Sequence, residues 1–201
     1  MIKLIVEGHG EVEALPLLLR RIAGERFGFW NVPLLRPGRY PAGRLLQKIK
    51  DGTSHTWVPG PDFKKAGQHA RNEGATCILT LLDLDDDCPK AVHDAVHPSL
   101  ADATGIAPSC LVFAKCEFEA WFLASAESLE DNILPYPAPP EDVRGAKQAL
   151  ERHLQLQFPY DERTDQPRYC SKMNLSTVHD RSRSFRKLVS DFYKLLLYCG
   201  V

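Results

Sequence analysis

Carboxylates stand directly after apolar runs at three places in this sequence. Ile2-Lys-Leu-Ile-Val6 leads into Glu7-Gly8-His9-Gly10, with Glu11 just beyond. Thr76-Cys-Ile-Leu-Thr-Leu-Leu82 leads into Asp83-Leu84-Asp85-Asp86-Asp87. Cys110-Leu-Val-Phe-Ala114 leads into Lys115-Cys116-Glu117-Phe118-Glu119. Asp83 and Asp85 are two apart, so in an extended segment they point the same way. Hard carboxylate oxygens gathered in one cleft repel one another unless a hard cation joins them. Mg²⁺ or Mn²⁺ suits such a site, because it takes few protein carboxylates, keeps waters and meets substrate phosphates. The chemistry is then phosphoryl transfer, with a metal held by Glu7, Asp83 and Asp85.

These acids meet only if the runs before them are neighbouring parallel strands. Nearly continuous apolar runs are the mark of strands covered on both faces. They alternate here with helical patterns, which predicts an α/β fold: a parallel sheet of about four strands with helices on both sides. In such sheets ligands bind outside the carboxyl ends of the strands. A competing reading takes each acid as a helix-start residue, favoured by free N–H groups and the helix dipole. Asp87, before Cys88-Pro89, is read as an N-cap and no more.

Along the chain, Val12, Leu15, Leu18, Leu19 and Ile22 form a helical stripe. Pro16 places the regular start of that helix near Leu15, and Gly24 is its expected stop. Trp30–Leu35, interrupted by Pro33, is read as a short or edge strand, and 36–41 as loop. Helices are expected over 42–50, 62–72, 88–103, 141–156 and 182–198, the last with Phe185, Leu188, Val189, Phe192, Leu195 and Leu196 on one face. Residues 158–178 read as polar and irregular. Pro135, Pro137, Pro139 and Pro140 mark a linker. The expected organisation is an α/β core over 1–130 carrying the acidic site, and a mostly helical extension over 131–201 packed on it.

Charge and composition narrow the classes. A net charge of −1 gives no global basic field for non-specific nucleic-acid binding, so any such contact is a local patch. No segment has the roughly 20 apolar residues that span a bilayer. The chain opens on a strand rather than a signal core. Six cysteines without a C-x-x-C pair are read as reduced thiols in a cytoplasmic protein. The local patch is expected at the start of the last helix, where Arg181, Arg183, Arg186 and Lys187 cluster with Ser182 or Ser184 as cap, and where Lys172, Arg168 and Arg163 just upstream would enlarge it if they fold onto it. Arginines beside free helix N–H groups contact phosphates. Trp121 and Phe122 are read as core.

A Glu-Gly after the first strand, followed by Asp-x-Asp after a later one, resembles the toprim domain of topoisomerases, primases and overcoming-lysogenization-defect nucleases. The likeness covers residues 1 to about 125. It is greatest to a small bacterial toprim-like family with a C-E-F-E-A-W-F-L-A-like stretch after the core and an R-S-x-S-F-like start to the last helix. The resemblance implies a Rossmann-like sheet, with Glu7 as the toprim glutamate and Asp83 and Asp85 as its Asp-x-Asp. Glu11, Lys115 and Glu117 resemble further residues of the nuclease branch. Glu11 and Glu117 would then add to the metal ligands, Glu7 would serve as ligand or as general acid or base, and Lys115 would steady transition-state charge. The implied activity is a Mg²⁺- or Mn²⁺-dependent nuclease acting on DNA or RNA. The implied setting is phage defence beside a separately encoded ATPase, with self-association left open. A non-catalytic adaptor of such an ATPase is the other reading. The carboxy-terminal part departs from the topoisomerase and primase families.

Overall fold

The first apolar run is strand β1 (Ile2–Val6), buried along its whole length. Its side chains alternate between two cores, as a two-residue period requires. Ile2, Leu4 and Val6 enter one core and Ile5 the other. The computed structural model describes residues 1–201 except Thr53, Asp85, Asp86 and Val201, and except the side chains of Asp51 and Ser54. After β1 come α1 (Glu11–Phe27), β2 (Gly38–Arg39), α2 (Ala42–Leu45), β3 (Leu46–Asp51), β4 (Ser54–Pro59), α3 (Pro61–Asn72), β5 (Cys77–Leu84), α4 (Pro89–Thr104) and β6 (Ser109–Lys115). Then follow α5 (Glu119–Leu123), α6 (Ala146–Leu154), α7 (Glu162–Lys172), α8 (Leu175–Arg181) and α9 (Arg183–Tyr198).

Strands β2, β1, β5 and β6, in that spatial order, form a four-stranded parallel sheet. Cys77, Leu79 and Leu81 of β5 join the first core, where α1, α5, α6, α7 and α9 pack. Ile78, Leu82 and Leu84 join the second, beneath α3 and α4. The fold is therefore α/β and Rossmann-like, with helices on both faces of the sheet. The chain leaves β1 over one face to reach the outer strand β2, then returns over the other face to β5. Strand order thus reverses between β1 and β5, the kind of place where open sheets bind ligands.

Several elements differ from the sequence-based expectation. α1 starts at Glu11, not near Leu15. Pro16 sits one turn inside the helix and forgoes only a bond to the partly exposed first turn. α1 also passes Gly24, which packs against Trp30, and ends at Gly28 in the left-handed region (φ 75°). Residues 42–50 are one helical turn followed by β3, which pairs with β4 in an antiparallel hairpin. The segment Trp30–Leu35 meets β1 only at the Ile2–Leu34 bridge, and the sheet strand is Gly38–Arg39, inside the expected loop. Residues expected to be irregular form α7 and α8. Asp87 pairs with Lys48 at 3.1 Å, while Cys88 holds the N-cap position of α4.

The C-terminal helices complete the first core. Trp121 and Phe122 are fully buried, as expected. Trp121 Nε1 donates to Ser184 Oγ at 2.8 Å, and its ring meets Phe185 edge-on at 5.4 Å. The two stretches singled out by sequence, around Trp121 and around Ser184, therefore pack on each other. α7 runs beside α1 in the same direction. Arg21 Nη1 on α1 donates to the carbonyls of Cys170 (2.6 Å) and Met173 (3.0 Å). At the other end a Cβ on Gly10 would lie 2.3 Å from the Glu162 carbonyl oxygen and 2.4 Å from Gln166 Oε1.

Gly10 is needed for that close approach and not for its φ, which is −66°. Gly10→Ala should lower stability by about 1–3 kcal/mol, the usual cost of overpacking. Gly43→Ala, whose new methyl would meet nothing within 4 Å, should cost no stability. Urea unfolding of both variants checks the contrast.

Candidate functional site

Glu7 follows β1 and Asp83 lies near the end of β5, so the two flank the point where strand order reverses. Asp83 shares the side of β5 that carries Leu79 and Leu81, and so faces the layer of α1, α5 and α7. Its Oδ1 is enclosed and has no hydrogen-bond partner among the described residues. The Asp83 carboxyl is pushed well above the usual carboxylate range, first by burial and then by the charges of Glu11, Glu119, Glu7 and Glu117. Acids following three separate strands thus all act on the charge of Asp83. Asp85, the other half of the Asp-x-Asp pair, lies outside the described residues.

Each remaining acid is held differently. Glu11, the first residue of α1, is buried and turns back so that Oε2 accepts the N–H groups of Glu7 and Gly8, both at 3.1 Å. Burial pushes its carboxyl up to about 7. The two backbone bonds oppose the rise, and the charges of Glu7 and Glu119 add to it. Glu119, the first residue of α5, is buried too, and its Oε1 accepts from Gln166 Nε2 at 2.9 Å. Burial raises its pKa, against the pull of the Gln166 bond. Glu117 follows Cys116, whose φ of 65° is uncommon for a residue with a side chain. This turn sends Glu117 to the start of α6, where Oε2 accepts the Lys147 N–H at 2.9 Å.

The structure adds residues that sequence reasoning missed. Gln166 comes from α7, and Tyr160 from the segment before it. Gln166 Oε1 is enclosed without a partner among the described residues, like Asp83 Oδ1, and the Tyr160 hydroxyl is enclosed beside Glu119. The Tyr160 phenol is pushed up by burial and then by Glu119. A buried polar atom without a partner is costly and marks a place where water or an ion belongs. Only the polarity of 158–178 hinted at these residues, and that pattern had pointed away from structure.

Other expected residues stand elsewhere. Lys115 Nζ pairs with Asp142 at 2.9 Å, away from Asp83. Arg181 Nη1 pairs with Glu127 at 2.7 Å and donates to the Ala124 carbonyl. Arg186 Nη1 donates to the carbonyls of His179 and Asp180 at the end of α8. Lys172 pairs with Glu130 at 3.0 Å. Ser182 caps α9 by accepting the Phe185 N–H, as expected, yet the anion at this helix start is internal. Glu141 accepts from Ser182 Oγ, Ser184 N and Arg183 N at 2.7–3.1 Å. Lys187 pairs with Asp191 and Arg168 with Glu130, while Arg163 lies in a separate cleft, so among the described residues of the cluster at this helix start the Arg183 side chain alone is left for an outside anion.

As a cation site, the donor set is all hard oxygen, with one enclosed carboxylate oxygen unsatisfied. That chemistry fits Mg²⁺ or Mn²⁺. Among the described residues no three His, Cys, Asp or Glu side chains stand close enough together to share an ion. Among them, too, no helix is long and apolar enough to cross a membrane. The family model described as "Domain of unknown function (DUF4276)" matches residues 6–192, spanning the sheet and the C-terminal helices alike. No curated protein and no solved structure matches the chain.

The raised carboxyl of Glu11 has a consequence for stability. The unfolded side chain titrates near 4.5 and the folded one at about 7, so within that window the folded protein holds the extra proton. Stability therefore falls as pH rises from about 4.5 to 7 and levels off above. Glu11→Gln keeps an acceptor for the two N–H groups and removes the charge. It should match the wild type near pH 4.5 and exceed it at pH 8 by up to about 3 kcal/mol. Urea unfolding at the two pH values tests this, and an equal pH slope in both proteins would contradict it.

Proposed function

The chain belongs to that family, whose description names no activity, and we propose from its own residues that it is a metal-dependent nuclease of the toprim type. The observation that carries the reading is Asp83, a half-buried carboxylate among like charges with one enclosed, unsatisfied oxygen at the reversal point of a parallel sheet. Capping does not account for it. Asp83 lies within β5, six residues before α4 begins, and serves no helix start.

Asp83 and Glu7 would hold the cation, and Glu11 would stand behind them, bonded to the backbone of the Glu7-Gly8 turn. Mg²⁺ or Mn²⁺ bound there supplies Lewis-acid polarisation of phosphate and water. Asp83 and Glu7 give it the negative charge it needs. Glu11, with its carboxyl at about 7, can hold or release a proton near neutral pH, the range a general acid or base requires. Gln166 orients Glu119, and α1, α5 and α7 keep bulk water from the inner side of the cluster. The toprim resemblance extends the reading to a cytoplasmic effector that acts with a separately encoded ATPase in defence against phage.

A second reading has its own support. Glu11, Glu117 and Glu119 each already hold a structural hydrogen bond, as acids in a non-catalytic adaptor of such an ATPase would.

Incubation of the purified protein with DNA and with RNA, with Mg²⁺ or Mn²⁺ against EDTA, separates the two. The nuclease reading expects metal-dependent cleavage that Asp83→Asn lowers by at least about 100-fold, the scale of losing a group that acts in the chemical step. A wild type that cleaves neither nucleic acid, and whose melting temperature neither metal raises, leaves the adaptor.

A further inference from the structure

Arg181, Arg186 and Lys172 are engaged internally, so a nucleic acid at this site would need other cations. A cleft of about 430 Å³ holds them, lined by Arg36, Arg39, Arg163, His9 and Glu13 among others. The three arginines come from three places. Arg36 precedes β2, in a segment held by the Lys3 Nζ bond to its carbonyl (2.7 Å). Arg39 lies on β2, and Arg163 in the first turn of α7. All three are exposed, and none makes an ion pair among the described residues. Arg39 joins the cleft to the acidic site, because its Nη1 reaches the Glu7 carbonyl at 3.5 Å.

The electrostatics favour an anion with several charges. Among the described residues lining the cleft, Glu13 alone opposes the guanidiniums. α1 and α7 both begin beside the cleft, and their dipoles add positive potential there. Guanidiniums offer planar, paired N–H groups that match phosphate oxygens. Unpaired like charges brought together by the fold repel one another until such an anion arrives.

We propose that this cleft takes the phosphodiester backbone of a nucleic acid and seats the phosphates next to the one at the Glu7–Asp83 cluster. The proposal rests on the nuclease reading for the fate of the strand, but the binding it describes needs no metal. It also moves the nucleic-acid surface from the start of α9 to the β1–β2 side of the sheet.

The test is fluorescence anisotropy of a labelled oligonucleotide, single-stranded or duplex, in EDTA over a range of salt. The wild type should bind at low salt. Arg36→Ala with Arg163→Ala should weaken binding by roughly tenfold or more and lower the salt slope by about 0.7–0.9 per arginine removed. Both side chains are exposed, so melting temperatures should stay the same. Arg183→Ala should bind as the wild type does. Inorganic phosphate at matched phosphate concentration should not displace the oligonucleotide. A wild type that does not bind, a double variant that binds like the wild type, a loss confined to Arg183→Ala, or ready displacement by phosphate would each overturn the proposal. Binding lost with the arginines but no metal-dependent cleavage would leave the cleft assignment standing and remove the nuclease reading alone.

Discussion

Asp83 is half-buried at the end of a central strand, with one carboxylate oxygen enclosed, and it feels the charges of Glu7, Glu11, Glu117 and Glu119. Water screens such charges well and a protein interior does not, so each side chain that excludes water from the cluster strengthens the repulsion inside it. The protein meets this by holding protons, with Glu11 at about 7 and Asp83 well above its ordinary range. A divalent cation would meet it by neutralising the carboxylates directly. The sheet order and the helices over this edge all bear on which of the two prevails.

The C-terminal helices belong to that arrangement. α7 lies along α1 because Arg21 ties their far ends together and Gly10 lets their near ends touch. This contact carries Gln166 to Glu119, and it sets Arg163 at the cleft beside Glu7. α9 is fixed through Trp121, Ser184 and Glu141, which uses up the polar groups at its start. The part of the chain with the weakest sequence signal thus walls the acidic site on one side and supplies a cation to its neighbour.

Elements whose signal is local were legible in the sequence. β1, β5 and β6 are apolar runs, α3 and α4 have proline starts, and α9 has a full apolar stripe, so each was found within a few residues. The convergence of Glu7, Asp83 and Glu117 followed from parallel strands sharing an edge. What escaped depends on partners distant in sequence. The β3–β4 hairpin is polar on most of its surface and is stabilised by cross-strand pairing. α7 carries Pro167 and few apolar residues, so its helical state rests on α1. Gln166, Tyr160, Arg36 and Arg39 acquire their roles only when those elements dock. Arg181, Arg186 and Lys172 misled for the same reason, since their internal partners, Glu127, the end of α8 and Glu130, cannot be read from spacing.

The central claim is that the cluster around Asp83 is a cation site held in its protonated state when no cation is bound. Calorimetric titration of Mn²⁺ at pH 7, repeated in buffers of different ionisation heat, measures binding and proton release together. The account predicts saturable binding accompanied by release of protons, because the carboxyls that hold them must ionise to meet the metal. In Asp83→Asn both the binding and the proton release should fall sharply. No saturable heat at millimolar Mn²⁺, or binding that releases no protons and survives Asp83→Asn, would contradict it.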